Sequence, residues 1–224
     1  MESTGELRMV PCTRTGKPYS EITAAARRAT ADLIVIATHG YTGARRVLLG
    51  STAERVVRYA RCPVLAVPVD FERKSELAVK KILVPIDFSS ISRDALPWAI
   101  FLAERFGGEI VLVHVVEKFP IDYILGNPVG ALEPFIRRAE SNLQNLAKSV
   151  SATSGVDVSA LVLVGNPFEK ICEAANTLGV DIIVLTTHGH TGLKHAWIGS
   201  TAERVVRVAH RPILAVRKRE GRRN

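Results

Sequence analysis

One stretch of this chain occurs twice. Gly50-Ser-Thr-Ala-Glu-Arg-Val-Val-Arg58 recurs without change from Gly199 to Arg207. Ala37-Thr-His-Gly-Tyr-Thr-Gly43 resembles Thr186-Thr-His-Gly-His-Thr-Gly192, and Pro63-Val-Leu-Ala-Val67 resembles Pro212-Ile-Leu-Ala-Val216. Gly16-Lys-Pro-Tyr19 matches Gly165-Asn-Pro-Phe168 in the same way. Every pair shares one offset of 149 residues, and about half of the aligned positions between Gly16 and Val67 are identical. A fixed offset of that length marks a duplicated structural unit, so what one copy folds into constrains the other.

The duplication is uneven. The second copy carries a long front section, Val79 to Leu163, whose counterpart would lie before Met1. The first copy therefore reads as the back half of a domain. Its opening has also lost strand character: Ser159-Ala-Leu-Val-Leu-Val164 is apolar, while the matching Val10-Pro-Cys-Thr-Arg-Thr15 holds a proline and an arginine. The division this predicts is a partial repeat over 1–70, a linker over 71–78, a complete domain over 79–217 and a basic tail over 218–224. The 224 residues then make about one and a half domains. Strand Leu33–Ala37 is expected to lack its usual neighbour, leaving an exposed edge or an exchange with a second chain.

Within the complete copy, Lys81 to Asp87 reads as a buried strand ending in a polar residue. Ser89 or Ser90 offers an N-cap for a helix through Phe106, stopped by Gly107-Gly108. Ile110–Val116 is a second strand, Phe119–Gly130 a proline- and glycine-bearing loop, and Glu133–Ser151 a helix. Val158–Val164, Asp181–Thr186 and Pro212–Val216 complete the strands, alternating with helices over Pro167–Asn176 and Ser200–Ala209. Continuous apolar strands alternating with helices predict an α/β fold, an open parallel five-stranded sheet with helices on both faces. Such sheets bind ligands where strand order reverses, at the strands' carboxyl ends. Asp87 and Thr186-Thr-His-Gly189 fall at those ends.

A loop that leaves at His188-Gly189 and returns at Gly199-Ser200-Thr201 can cradle a polyphosphate. Glycine permits close approach, and helix N-terminal amides favour anions. The plainer reading is a Ser200 N-cap with Glu203 three residues on, a capping box; the two are compatible. Asp87 reads either as an aspartate capping the next turn or as an acceptor for a nucleobase amino group or a ribose hydroxyl.

Together these pieces resemble the universal stress protein family. The resemblance rests on Lys81-Ile-Leu-Val-Pro-Ile-Asp-Phe-Ser89, Leu112-Val-His-Val-Val116, and Thr187-His-Gly189 with nine residues before Gly199-Ser200. It covers Val79–Arg217 as a whole domain and Gly16–Val67 as a half domain. It implies a Rossmann-like fold of the adenine nucleotide alpha hydrolase-like kind, with a partial second copy, and dimerisation through the last strand. It also implies ATP as ligand, with Mg2+ able to accompany it. Pro85, Asp87 and Val115 match the adenine-side positions. Gly189, Gly199 and Ser200 match the glycine signature, with Thr201 in the phosphate-facing turn. Thr186 stands where that signature has its first glycine, and Ala37 stands there in the partial copy. A branch of the family that does not bind nucleotide loses these glycines, whereas this chain keeps Gly189 and Gly199. The partial copy has Gly40, Gly50, Ser51 and Thr52 without counterparts of Asp87 or Val115, so no independent nucleotide site is expected there. The functional expectation is an ATP-binding stress-response module. The alternatives are an interaction module that takes no nucleotide, or a nonspecific nucleic-acid binder.

Other chemistries fit less well. His188, His190 and His195 have zinc-compatible spacing, but the last two become Tyr41 and Arg46 in the other copy, and no acid or cysteine shares the loop. No nucleophile–base pair, Walker lysine or paired carboxylates appear, so no enzyme is expected. A family of this kind admits slow ATP hydrolysis, with no dedicated catalytic residue identified in this chain. The net charge of +8 is confined to the ends: residues 1–70 carry +4, 71–216 carry zero and 217–224 carry +4. Arg45, Arg46, Arg55, Arg58 and Arg61 have no interleaved aromatic platform, so a nucleic-acid partner is not expected. The longest apolar stretches are too short to span a bilayer, and the N-terminus has no signal core. Three scattered cysteines, Cys12, Cys62 and Cys172, fit a reducing cytoplasm. The last strands of the two copies are candidates for self-association, or for pairing with each other within the chain.

Overall fold

The computed structural model describes residues 8–38, 50–68, 78–117, 128–187 and 199–217. In chain order the elements are α1 (Pro18–Arg28), β1 (Ile34–Ala37), α2 (Ser51–Tyr59), β2 (Val64–Val67) and β3 (Lys81–Pro85). A 3-10 turn (Ser92–Ala95), α3 (Leu96–Phe106), β4 (Glu109–Val116), α4 (Pro128–Ser154) and β5 (Val158–Val164) follow. The chain continues with α5 (Pro167–Thr177), β6 (Ile182–Thr186), α6 (Ser200–Val208) and β7 (Ile213–Val216). All strands join one sheet in the order β1-β2-β7-β6-β3-β4-β5.

The expectation of five parallel strands is corrected by this sheet. Residues 81–216 do supply five, but the sheet has seven, because β2 pairs antiparallel with β7 (Val64 with Ala215, Ala66 with Ile213). Every other pairing is parallel. Of the two expectations for the last strands, pairing with each other within the chain is the one found, and self-association through them gains no support. Those two strands satisfy each other inside the chain, and the sheet's outer strands are β1 and β5.

Two local expectations also change. The helix does not start directly after Ser89 or Ser90: the Ser89 hydroxyl accepts the amide of Ser92, which opens a one-turn 3-10 segment leading into α3, and Gly107, at φ 61°, ends it. The helix expected from Glu133 begins at Pro128, so residues 128–130 are helical rather than loop. Proline suits a helix start, where its missing N–H has no partner to lose. The rest of that expected loop, 119–127, lies outside the described residues.

Offset symmetry carries into three dimensions. The Gly50 amide donates to the Thr38 carbonyl at 2.7 Å, as Gly199 does to Thr187 at 2.8 Å. Arg55 lies 5.1 Å over the Tyr19 ring, as Arg204 lies 5.1 Å over Phe168. Because β2 and β7 run antiparallel, α2 and α6 meet head to tail, and identical side chains answer each other. Arg58 reaches Glu54 at 3.1 Å and Glu203 at 3.4 Å; Arg207 reaches Glu54 at 3.3 Å and Glu203 at 3.5 Å. This half-buried ring of four charges is one sequence meeting itself.

One face of the sheet is covered along its length by α1, α2, α5 and α6, whose apolar residues form one core cluster. The other face is covered by α3 and α4, whose cluster reaches β7 and, partly, Leu65 of β2. Beyond that no element among the described residues covers this face: Val35 of β1 is 63% exposed, while its counterpart Val184 of β6 is 0% exposed. The same residue at the same repeat position should therefore tolerate different chemistry. Val35→Lys is expected to change unfolding free energy by less than about 0.5 kcal/mol. Val184→Lys should lower it by about 3 kcal/mol or more, because an ammonium would enter an apolar core. Urea titration of both variants checks this, and equal costs would contradict the one-sided first copy.

Candidate functional site

β3 is where strand order reverses, with β4 on one side and β6 on the other. A helix after β3 must leave the sheet on the opposite face from one after β6, which opens a crevice at the strands' carboxyl ends. A cavity of about 390 Å³ occupies that place. Pro85 at the end of β3, Asp87 just beyond it, Val115 on β4, Thr186 at the end of β6, and Gly199, Ser200 and Thr201 at the start of α6 all line it. Seven of the eight residues singled out from sequence thus share one cavity. The eighth, Gly189, lies outside the described residues, as do the loop histidines.

Asp87 sits in a tight turn of its own making. Its Oδ1 accepts the Ser89 amide at 3.0 Å and the Ser89 hydroxyl at 2.6 Å. The Ser89 hydroxyl oxygen in turn accepts the Ser92 amide at 3.1 Å. The turn-shaping reading of this aspartate is the one these bonds show, and Asp87 also borders the cavity. Between Asp87 and Ser89, Phe88 adopts φ 61°, a left-handed conformation that is costly for a bulky side chain.

Across the cavity, α6 points its N-terminus inward. The helix cap is Gly199, not Ser200, and it makes no side-chain cap bond. The capping box is therefore corrected: Ser200 already has helical position, and Glu203 instead pairs with arginines. The first intrahelical bond is from the Glu203 amide to the Gly199 carbonyl at 2.9 Å. Helix geometry leaves the amides of Ser200, Thr201 and Ala202 facing out at the positive end of the helix dipole, an anion-binding arrangement. Gly199 is held there by its bond to Thr187, which is itself tied to Val216 at 3.0 Å. A wall of Val113, Ile171, Leu185 and Val205 completes the cavity. A largely apolar crevice with two acidic residues, Asp87 and Glu117, and one row of helix amides fits a ligand with a flat base at one end and phosphates at the other.

Sequence reasoning passed over several lining residues. His114 lay inside a run singled out for its resemblance, yet no role was read for it; its signal was an imidazole at the carboxyl end of an apolar strand. Its Nδ1 donates to the Ile86 carbonyl at 2.7 Å, and its ring lies 4.4 Å from that of Phe88. Glu117 also borders the cavity. The apolar lining residues carried no signal distinguishing them from core.

Among the described residues there is no cluster of His, Cys, Asp or Glu that could hold a metal, and no helix is long and apolar enough to cross a membrane. Two of the arginines that made the first copy look basic are engaged internally, Arg55 on Tyr19 and Arg58 in the charge ring. The cysteines are free thiols; burial pushes Cys172 up to about 11 and also raises Cys62.

The universal stress protein family matches residues 12–68 and 78–217. A universal stress protein of Methanocaldococcus jannaschii is 35% identical over 150 residues, 65% of this chain and 86% of that protein. A universal stress protein of Mycobacterium tuberculosis is 28% identical over 189 residues, which are 84% of this chain and 62% of its own length. The crystal structure of a universal stress protein from Archaeoglobus fulgidus shares the fold at a TM-score of 0.68, with 24% identity, over 91% of this chain and 68% of that one.

The cap assignment is open to test. In ligand-free protein, Ser200→Ala should shift stability by less than about 0.5 kcal/mol, since no cap bond is lost. A serine cap would cost about 1 kcal/mol by thermal or urea unfolding.

Proposed function

This chain belongs to the universal stress protein family, and on that premise we propose that it is a nucleotide-binding stress-response module that takes ATP at the carboxyl end of β3, β4 and β6. The observation that carries the reading is one cavity shared by the Asp87 carboxylate and the α6 amides. In this account Asp87 accepts from the adenine amino group or a ribose hydroxyl, with Pro85 and Val115 against the base. Gly199, Ser200 and Thr201 hold phosphates, joined by Gly189. Thr186, in place of a glycine, closes the wall between them. Mg2+ would enter with the triphosphate. The function is binding rather than turnover, because no base or nucleophile is assigned in the cavity, and the free thiols suit a cytoplasmic setting.

The first copy is, in this account, a second and smaller repeat of the same unit. It repeats the helix start of α6 at α2, but among the described residues nothing in it corresponds to β3 and β4. It therefore presents half a phosphate cradle and no base pocket. A rival reading, an interaction module that needs no nucleotide, draws on the bare edge at Val35.

Calorimetry with Mg-ATP separates these. Asp87→Ala should weaken binding about 10- to 100-fold, the loss of a charge-assisted hydrogen bond in a confined site. Unchanged affinity would remove Asp87 from the site, and no heat with the unaltered protein would favour the rival.

A further inference from the structure

We propose that His114 is the positioning residue of this site, holding the turn that presents Asp87; the inference deepens the nucleotide reading and rests on it. The starting observation is Phe88. A phenylalanine at φ 61° is strained, and such a conformation persists only where its surroundings fix it. On one side the fixing is local: Ser89 donates twice to Asp87, the Ser92 amide donates to the Ser89 hydroxyl, and the Ser92 hydroxyl donates to the Ser89 carbonyl at 3.0 Å. These bonds shape the turn but do not attach it to the sheet.

The attachment comes from β4. The regular pairing of β3 ends at Pro85 with Val113. One residue on, the Ile86 amide donates to the Val113 carbonyl at 2.8 Å, and the Ile86 carbonyl accepts from His114 Nδ1 at 2.7 Å. A carbonyl can only accept, so Nδ1 carries the proton. The same imidazole ring lies against the Phe88 ring, centroids 4.4 Å apart and planes 38° apart. One side chain therefore grips the residue before Asp87 through a hydrogen bond and the residue after it through ring contact. With both neighbours held, the Asp87 backbone has no freedom to swing its carboxylate out of the cavity. The strain at Phe88 is maintained by β4, the strand that also supplies Val115 to the proposed base pocket.

Three variants separate this role from ordinary packing. His114→Phe keeps a ring for Phe88 and loses the donor. His114→Asn places an amide N–H where Nδ1–H stood, and His114→Gln is polar but reaches past that point. Two readouts are taken: amide hydrogen exchange of Ser89 in ligand-free protein, and ATP affinity by calorimetry. The Ser89 amide should exchange about tenfold faster in His114→Phe and His114→Gln, and affinity should fall about tenfold. His114→Asn should restore both to within about threefold of the unaltered protein. Val84, in the buried middle of β3, serves as the reference amide and should be unchanged. Overturning results are a Ser89 amide indifferent to His114→Phe, or His114→Asn behaving like His114→Gln. Should His114→Phe fail to fold, the Asn and Gln pair carries the same comparison. If the unaltered protein binds no nucleotide, the reading of the cavity fails, and Ser89 exchange alone decides the role of His114.

Discussion

The rest of the structure depends on the antiparallel pairing of β2 with β7. Val64, Ala66, Ile213 and Ala215 are almost wholly buried there, at the seam between two repeats. Either strand alone would be an apolar sheet edge, an invitation to aggregation. Paired, they set α2 and α6 antiparallel and bring the ring of Glu54, Arg58, Glu203 and Arg207 together. The Arg217 guanidinium donates to the Ala60 carbonyl at 3.3 Å across the same seam. The repeat is most faithful over Gly50–Arg58 and Gly199–Arg207 because those residues serve two demands at once: they start a helix at a sheet end, and they meet their own counterparts.

The seam also separates what the two copies can do. Each brings a strand, a helix opening at Gly-Ser-Thr and a closing strand. Only the second adds β3 and β4, and with them Asp87, His114 and Val115. A helix N-terminus without an opposing wall is a weak anion site; with a carboxylate and an apolar wall opposite, it becomes one end of a shaped cavity. Val35 and Val184 make the same point for stability. Equal residues at equal repeat positions differ in burial because only one has α3 and α4 over it.

Much of this was legible in the residues, for identifiable reasons. Continuous apolar runs marked strands, Val158–Val164 to the residue although as an outer strand it is only half-buried, and the fixed offset transferred assignments between copies. Asp87 and Thr186 stood out as polar residues closing apolar strands, and Gly199 as a glycine opening a helix. The last strands of both copies were legible as apolar runs, but the choice between pairing with each other and pairing with a second chain was not, because it depends on two segments meeting across the chain, which no local pattern encodes. Ser200 was misread as a cap because serine and glycine both suit that position, and backbone angles decide between them. His114 was missed because its importance lies in a bond to a carbonyl three elements' geometry away, not in its spacing from other polar residues.

The central claim is that one chain offers one nucleotide site despite two copies of the helix start. Native mass spectrometry of the protein, with the released ligand identified, measures this directly. The account predicts a single adenine nucleotide per chain. Two nucleotides per chain, or none retained at saturating ATP, would contradict it.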